Sequence, residues 1–128
     1  MTAGVETVST TIHRFAPLAA ALSDLCRLRI LLVLKQGELC TCHLTELLGV
    51  APSTTSKHLS ILKNAQLLQC RREGRWVHYR LCTRQDGAPE EVLEAIDWVS
   101  RRLGQSDVAR RDAVRMKEIL AMFQDECD

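Results

Sequence analysis

The stretch Leu44-Thr45-Glu46-Leu47-Leu48-Gly49-Val50-Ala51-Pro52-Ser53-Thr54-Thr55-Ser56-Lys57-His58-Leu59-Ser60-Ile61-Leu62 decides the fold. Leu44, Leu47 and Leu48 fall at i, i+3 and i+4, the apolar face of a short helix. Gly49 ends that helix, because a residue without a Cβ takes the left-handed conformation there at no steric cost. Three residues on, Pro52 has the fixed φ that suits a first helical position, so a second helix is predicted over residues 52–64, with Leu59, Ile61 and Leu62 on its apolar side. Helix, tight turn, helix is the arrangement in which the first residues of the second helix meet base edges in the DNA major groove. Ser53, Thr54, Thr55, Ser56, Lys57 and His58 then form the recognition surface, His58 being equally suited to a phosphate contact or to a structural hydrogen bond. Their small hydroxyls suit close approach to bases or phosphates, and Lys57 suits neutralisation of a phosphate. Serines and threonines at a helix start also serve as plain caps, so the motif alone is not specific.

The next segment supplies the specificity. Residues 67–72 and 76–81 are extended runs, the second alternating Val77, Tyr79 and Leu81 with Trp76, His78 and Arg80. Glu73-Gly74 between them reads as a hairpin turn, the glycine supplying a positive φ. Arg71, Arg72 and Arg75 cluster around its tip, where long cations can straddle a DNA backbone or enter the minor groove. A basic hairpin behind a helix-turn-helix is a wing. The fold class predicted is mainly α with a β-hairpin wing, a winged helix-turn-helix. Charge mapping agrees: residues 53–84 carry seven basic side chains against one acid, +6, while the rest of the chain carries −5 and the net charge is only +1. Such asymmetry is the footprint of an anionic partner, here double-stranded DNA.

On the other side of the motif stands Glu38-Leu39-Cys40-Thr41-Cys42-His43, two thiols one residue apart at the expected start of the first motif helix. Cysteine thiolates select soft ions: cadmium, zinc, copper(I) and, by the same softness, trivalent arsenic and antimony. The positive end of a helix favours the thiolate, so the pair is poised to bind. In a regular helix residues i and i+2 point about 200° apart, whereas in an extended segment they share a face. One ion bridging both sulfurs therefore favours a frayed or extended helix start, and chelation would shift the DNA-reading surface behind which this helix packs. Two small thiols packed as mild hydrophobes are the bland alternative.

The other cysteines are less well placed. Cys26 begins a helix whose end precedes Cys40, about ten residues at 1.5 Å rise, or ~15 Å away. Cys127 lies on a C-terminal tail from which it could reach the pair in either subunit of a dimer, and Cys70 and Cys82 read as packing residues of the wing. Six cysteines with no sign of secretion point to metal or redox chemistry rather than disulfides.

The remaining chain is helical. Residues 1–12 read as a polar arm; Phe15, Leu18, Ala19 and Leu22 mark an amphipathic helix, and residues 24–35 a nearly all-apolar, central one. Pro89, Glu90 and Glu91 open a helix that Arg101, Arg102 and Gly104 close, with Val92, Ile96, Val99 and Leu103 as its stripe. A last helix carries Ala109, Ala113, Met116, Leu120 and Phe123 as a packing seam. Both stripes suit an internal core or a dimer interface equally. The organisation expected is an arm (1–12), a winged helix-turn-helix domain with dimerisation helices (13–104) and a C-terminal helix and tail (105–128). No run approaches the roughly 20 apolar residues of a membrane span, and a cytosolic, non-enzymatic protein is expected.

Between residues 19 and 81 the chain resembles the arsenical-resistance repressor (ArsR/SmtB) family of bacterial winged-helix metalloregulators. The resemblance rests on Ala21-Leu22-Ser23-Asp24, Arg27-Leu28-Arg29-Ile30-Leu31, Gly37-Glu38-Leu39-Cys40-Thr41-Cys42, Ser56-Lys57-His58-Leu59 and Arg72-Glu73-Gly74-Arg75-Trp76-Val77-His78-Tyr79-Arg80-Leu81. It implies a homodimer built on the first and last helices that represses an arsenic-resistance operon and leaves its operator when As(III) or Sb(III) binds Cys40 and Cys42. Thr45 stands where some arsenite sensors have a third cysteine, so either another cysteine completes the site or two thiols take methylated trivalent arsenic. Leu25-Cys26 departs from the usual Pro-Thr, and Gln66 replaces the usual glycine after the recognition helix. All four histidines (His13, His43, His58, His78) precede residue 80, which argues against a zinc site on the last helices. Three alternatives stay open: a cadmium, lead or zinc sensor using the same pair, a thiol redox switch, and, from another class, a thiol oxidoreductase, for which the alternating strand-helix pattern is missing.

Overall fold

The computed structural model describes the backbone of residues 2–127 and the side chains of residues 11–123. Its elements are α1 (Thr2–Ala21), α2 (Leu25–Leu34), β1 (Leu39–Cys40), α3 (Thr41–Leu48), α4 (Pro52–Asn64), β2 (Leu68–Glu73), β3 (Trp76–Leu81), a single 3-10 turn (Arg84–Asp86), α5 (Glu90–Leu103) and α6 (Asp107–Cys127). Each boundary of the central motif has a local cause. Asp24 caps α2 by accepting the Arg27 N–H at 3.1 Å. Gly49 closes α3 at φ +66°, and Pro52 opens α4. The wing is the winged helix-turn-helix expected, with β2 and β3 antiparallel from Leu68↔Leu81 to Glu73↔Trp76 around a turn in which Gly74 has φ +61°.

The core lies where α2, α3, α4 and α6 converge. Ile30, Leu44, Leu59, Leu62, Leu67, Leu68 and Ile119 are its fully buried large side chains, each contributing about 1.5–3 kcal/mol of apolar burial. An ion pair is built into its edge: Arg29 on α2 donates from Nε to Asp112 Oδ2 at 2.8 Å and from Nη2 to Oδ1 at 3.0 Å, with a longer contact of 3.5 Å to the Leu47 carbonyl at the end of α3. One guanidinium thereby joins three helices.

Several expectations are corrected. α1 starts at Thr2, so the backbone expected as a polar arm is helical. Phe15, expected on its buried stripe, is exposed, and Leu18 and Ala21 are the buried positions. The seam of α6 runs through Asp112, Met116, Ile119 and Phe123, not Leu120, which faces outward. The registers differ because the buried aspartate, which no hydrophobic count includes, holds the inner face through Arg29. α2 is not wholly enclosed: Leu25 is exposed, and near it Leu22, Leu28, Trp98, Val99 and Leu103 line an apolar hollow of about 200 Å³.

Candidate thiol site and nucleic-acid interface

The sheet has one strand beyond the hairpin. Leu39 and Cys40 form β1, which pairs with β3 in the register Leu39↔Tyr79 and Cys40↔His78, giving the order β1-β3-β2. Cys40 is thus both the last residue of a strand and the N-cap of α3, with φ −77° and ψ 154°. Its N–H donates to His43 Nδ1 at 3.0 Å, the back-bond of a capping box with histidine in the place usually taken by Glu or Gln. That bond fixes the neutral tautomer, with Nδ1 bare. Burial, with the nearby His78, holds the His43 imidazolium below its ordinary pKa. Cys42 sits one residue into α3.

Both cysteines line an open cleft of about 500 Å³. Thr41, Thr45 and Glu46 of α3 share its floor, Pro52 and Ser56 of α4 form one wall, Arg75, Trp76 and Val77 of the wing another, and Phe123 of α6 closes an end. Cys40 is 1% exposed and Cys42 half-buried. The Thr45 hydroxyl is buried and has no hydrogen-bond partner among the described residues, so a polar atom lies unsatisfied beside the two thiols. Phe123 stacks edge-on against His43, with ring centroids 5.7 Å apart.

The predicted DNA surface is sorted by burial. Ser53, Thr54, Ser56 and Lys57 are exposed on the first turns of α4. Thr55 is withdrawn from that set: it is 0% exposed and shares the inner face with Leu59 and Leu62, a spacing of i, i+4 and i+7 that was legible in the sequence. His58 also turns inward, its Nδ1 lying 3.1 Å from an Arg27 amine. On the wing, Arg72 and Arg75 are exposed, the latter over the Trp76 ring at 5.0 Å. Arg71 is engaged by Glu38 (2.7 Å) and Glu73 (2.6 Å), pairs that hold its guanidinium firmly charged but partly neutralise it.

Residues 25–69 match the description "Bacterial regulatory protein, arsR family". The arsenical resistance operon repressor of Bacillus subtilis strain 168 is 39% identical over 104 residues, 80% of this chain and 96% of that one. The chain belongs to the arsR family. The arsenical resistance operon repressor of Escherichia coli K12 is 46% identical over 61 residues, 47% of this chain and 52% of its own length; the chain thus spans about half the length of that curated relative. Among solved structures, the homodimeric winged helix-turn-helix DNA-binding domain Mb0332 of Mycobacterium bovis, a possible ArsR-family regulator, superposes with a TM-score of 0.60 at 30% identity, covering 73% of this chain and 81% of that one.

Within this arsR-family chain the sequence had marked Thr45 only as the place of a missing third thiol and had not pointed to His43 or Phe123 as parts of the thiol site. His43 was legible as the N3 residue of a helix capped at Cys40; Phe123, eighty residues away, was not. Cys26 faces α4 rather than the pair, Cys70 and Cys82 are in or next to the wing strands, and burial raises the Cys82 thiol above its ordinary value. The side chain of Cys127, considered as a third ligand, falls outside the described residues.

Proposed function

We propose that this chain is a DNA-binding repressor of an arsenic-resistance operon, acting as a homodimer and released from its operator when trivalent arsenic or antimony bridges Cys40 and Cys42. One observation carries the reading: the cleft beside the two thiols is walled by α4 and by the wing, the two elements that would touch DNA. The donor set fits the guest, with two soft sulfurs and an unsatisfied hydroxyl at Thr45. Exposed Ser53, Thr54, Ser56 and Lys57 face the major groove in this reading, and Arg72 and Arg75 the backbone or minor groove. Exposed Phe15, Leu25 and Trp98 supply apolar surface for a second copy.

The geometry supports release. Cys40 belongs to a strand and Cys42 to a helix, so an ion held by both sulfurs would tie the two elements across their junction. Cys40 is 1% exposed although it lines the cleft, so in this reading a guest that takes its sulfur loosens the strand-helix junction. The same backbone is bonded to β3, so the wing moves with it. A guest that binds the loosened form better shifts the population toward it, and linkage makes operator DNA weaken guest binding by the same factor. A coupling of about 3 kcal/mol changes operator affinity roughly a hundredfold.

The test is fluorescence anisotropy on a duplex from the promoter region of the chain's own operon. As(III) should release the wild-type protein and leave Cys40→Ser and Cys42→Ser bound. Undiminished release in both variants refutes the assignment. Cd(II), Pb(II) and Zn(II) titrations separate a divalent sensor, and release by peroxide without any metalloid response identifies a redox switch.

A further inference from the structure

A second group of metal-binding side chains lies on the opposite side of α4 from the thiol cleft. Asp24 ends the turn after α1, Cys26 is in the first turn of α2, and His58 projects from α4. One ligand atom from each, a carboxylate oxygen, Sγ and an imidazole nitrogen, all lie within 4.8 Å of one another, and among the described residues no other trio of His, Cys, Asp or Glu does so. All three residues are partly buried, so water reaches the group without dissolving it. Cys26 is here the residue that the sequence left without a role.

We propose that Asp24, Cys26 and His58 form a site for a borderline divalent cation, with Zn(II), Co(II) and Cd(II) as its chemical class. One thiolate, one imidazole and one carboxylate match ions that accept sulfur, nitrogen and oxygen together. Arsenic(III), which prefers several thiolates, and Mg(II) or Ca(II), which take oxygen alone, do not fit. Metal-ligand lengths of about 2.0–2.3 Å in a tetrahedron place ligand atoms about 3.3–3.8 Å apart, so side-chain rotations that draw the trio in by about 1 Å complete three corners. Water takes the fourth.

Two members of the trio already face a cation. Arg27 places one amine 3.1 Å from His58 Nδ1 and 4.0 Å from an Asp24 oxygen, while its Nε and its other amine donate to the carbonyls of Ala21 and Ala20 at 3.0 and 2.9 Å. The guanidinium hangs from the last turn of α1, and its remaining amine lies between two members of the group, His58 and Asp24. A divalent ion replaces that amine. It then ties the α1–α2 corner directly to α4, six residues from the start of that helix.

The experiment uses the full-length Cys40→Ser/Cys42→Ser protein, which removes the thiol pair and separates the two sites. Titration with Co(II) should saturate at one ion per chain, with a thiolate-to-cobalt charge-transfer band of single-sulfur intensity and the ligand-field bands of a tetrahedral ion. Adding Cys26→Ser should abolish the charge-transfer band, and His58→Gln should weaken Co(II) binding at least tenfold. Arg27→Gln, which removes the competing arm, should tighten it. No band in the parent protein, or a band that survives Cys26→Ser, overturns the proposal. X-ray absorption of the Zn(II)-loaded parent gives an answer independent of whether those variants fold: one sulfur with nitrogen and oxygen neighbours supports the site, and two or more sulfurs overturn it.

Discussion

Asp112→Ala should destabilise this protein more than any surface substitution, because it strands Arg29 at the edge of the core. The wild-type pair makes two charge-assisted hydrogen bonds, of 2.8 and 3.0 Å, between side chains that are 21% and 10% exposed. Breaking a fully buried pair costs roughly 3–5 kcal/mol. Arg29 retains some access to water and its long contact to Leu47, which brings the expected loss to about 2–3 kcal/mol. With an unfolding entropy of about 2.1 cal/mol/K per residue, 128 residues give roughly 0.27 kcal/mol/K, so ~2.5 kcal/mol lowers Tm by about 9 °C. Urea unfolding followed by circular dichroism, at one fixed protein concentration because the stability of the proposed dimer would depend on it, measures the change. A second protein, Arg29→Met/Asp112→Leu, removes both charges and should recover most of the loss, since an apolar pair carries no stranded charge. A loss below about 0.5 kcal/mol for Asp112→Ala, or a double variant no more stable than the single one, refutes the assignment of the deficit to an unpaired guanidinium.

Gln66 has φ +66° just past Ala65, the C-cap of α4, a conformation that costs a residue with a Cβ about 1–2 kcal/mol. Gln66→Gly relieves it, gives back about 0.4–1 kcal/mol to the freer unfolded chain, and should raise Tm by about 3 °C at the middle of those ranges; a lower Tm in a thermal melt counts against the strain. His43 gives a pH dependence with a definite sign. Its folded pKa is lowered by burial, so its contribution to stability is complete above the unfolded value of about 6.5 and is lost as pH falls through the folded value. Urea unfolding at pH 7.5 and pH 5.5 should show the drop, and His43→Gln, which keeps an acceptor for the Cys40 N–H without titrating there, should reduce it; equal slopes in the two proteins would place the titration elsewhere.

The central motif was legible because its signals are local. Gly49, Pro52 and Gly74 act on their own backbone, and the alternation of residues 76–81 records a half-buried strand without knowledge of what covers it. Non-local effects were hidden. Leu39 and Cys40 are too few to show a strand period, and they become β1 only because β3 offers them a free edge. Asp112 reads as solvent until Arg29 arrives from eighty-three residues away, which is why the α6 seam was placed one position off, at Leu120 instead of Ile119. Thr55 and His58 were misplaced for a different reason: polar side chains at a helix start look like a DNA surface, and only the i, i+4, i+7 relation of Thr55 to Leu59 and Leu62 showed that one faces inward. At the thiol site the two sulfurs were evident, but the cleft around them, assembled from α3, α4, the wing and Phe123, was not.

The three-stranded sheet has an uneven reach. β1 touches β3 only at Tyr79 and His78, whereas β2 and β3 run on together to Glu73 and Trp76. The hairpin beyond that short seam is a cantilever: from His78 to Gly74 it extends about four residues at 3.3 Å, or ~13 Å, with Arg75 at the free end. Cys40 sits at the fulcrum, opposite His78. A tilt there of a few degrees, too small to disturb the core, sweeps the end that carries Arg75 sideways by an ångström or so, enough to lose hydrogen-bond register with a phosphate.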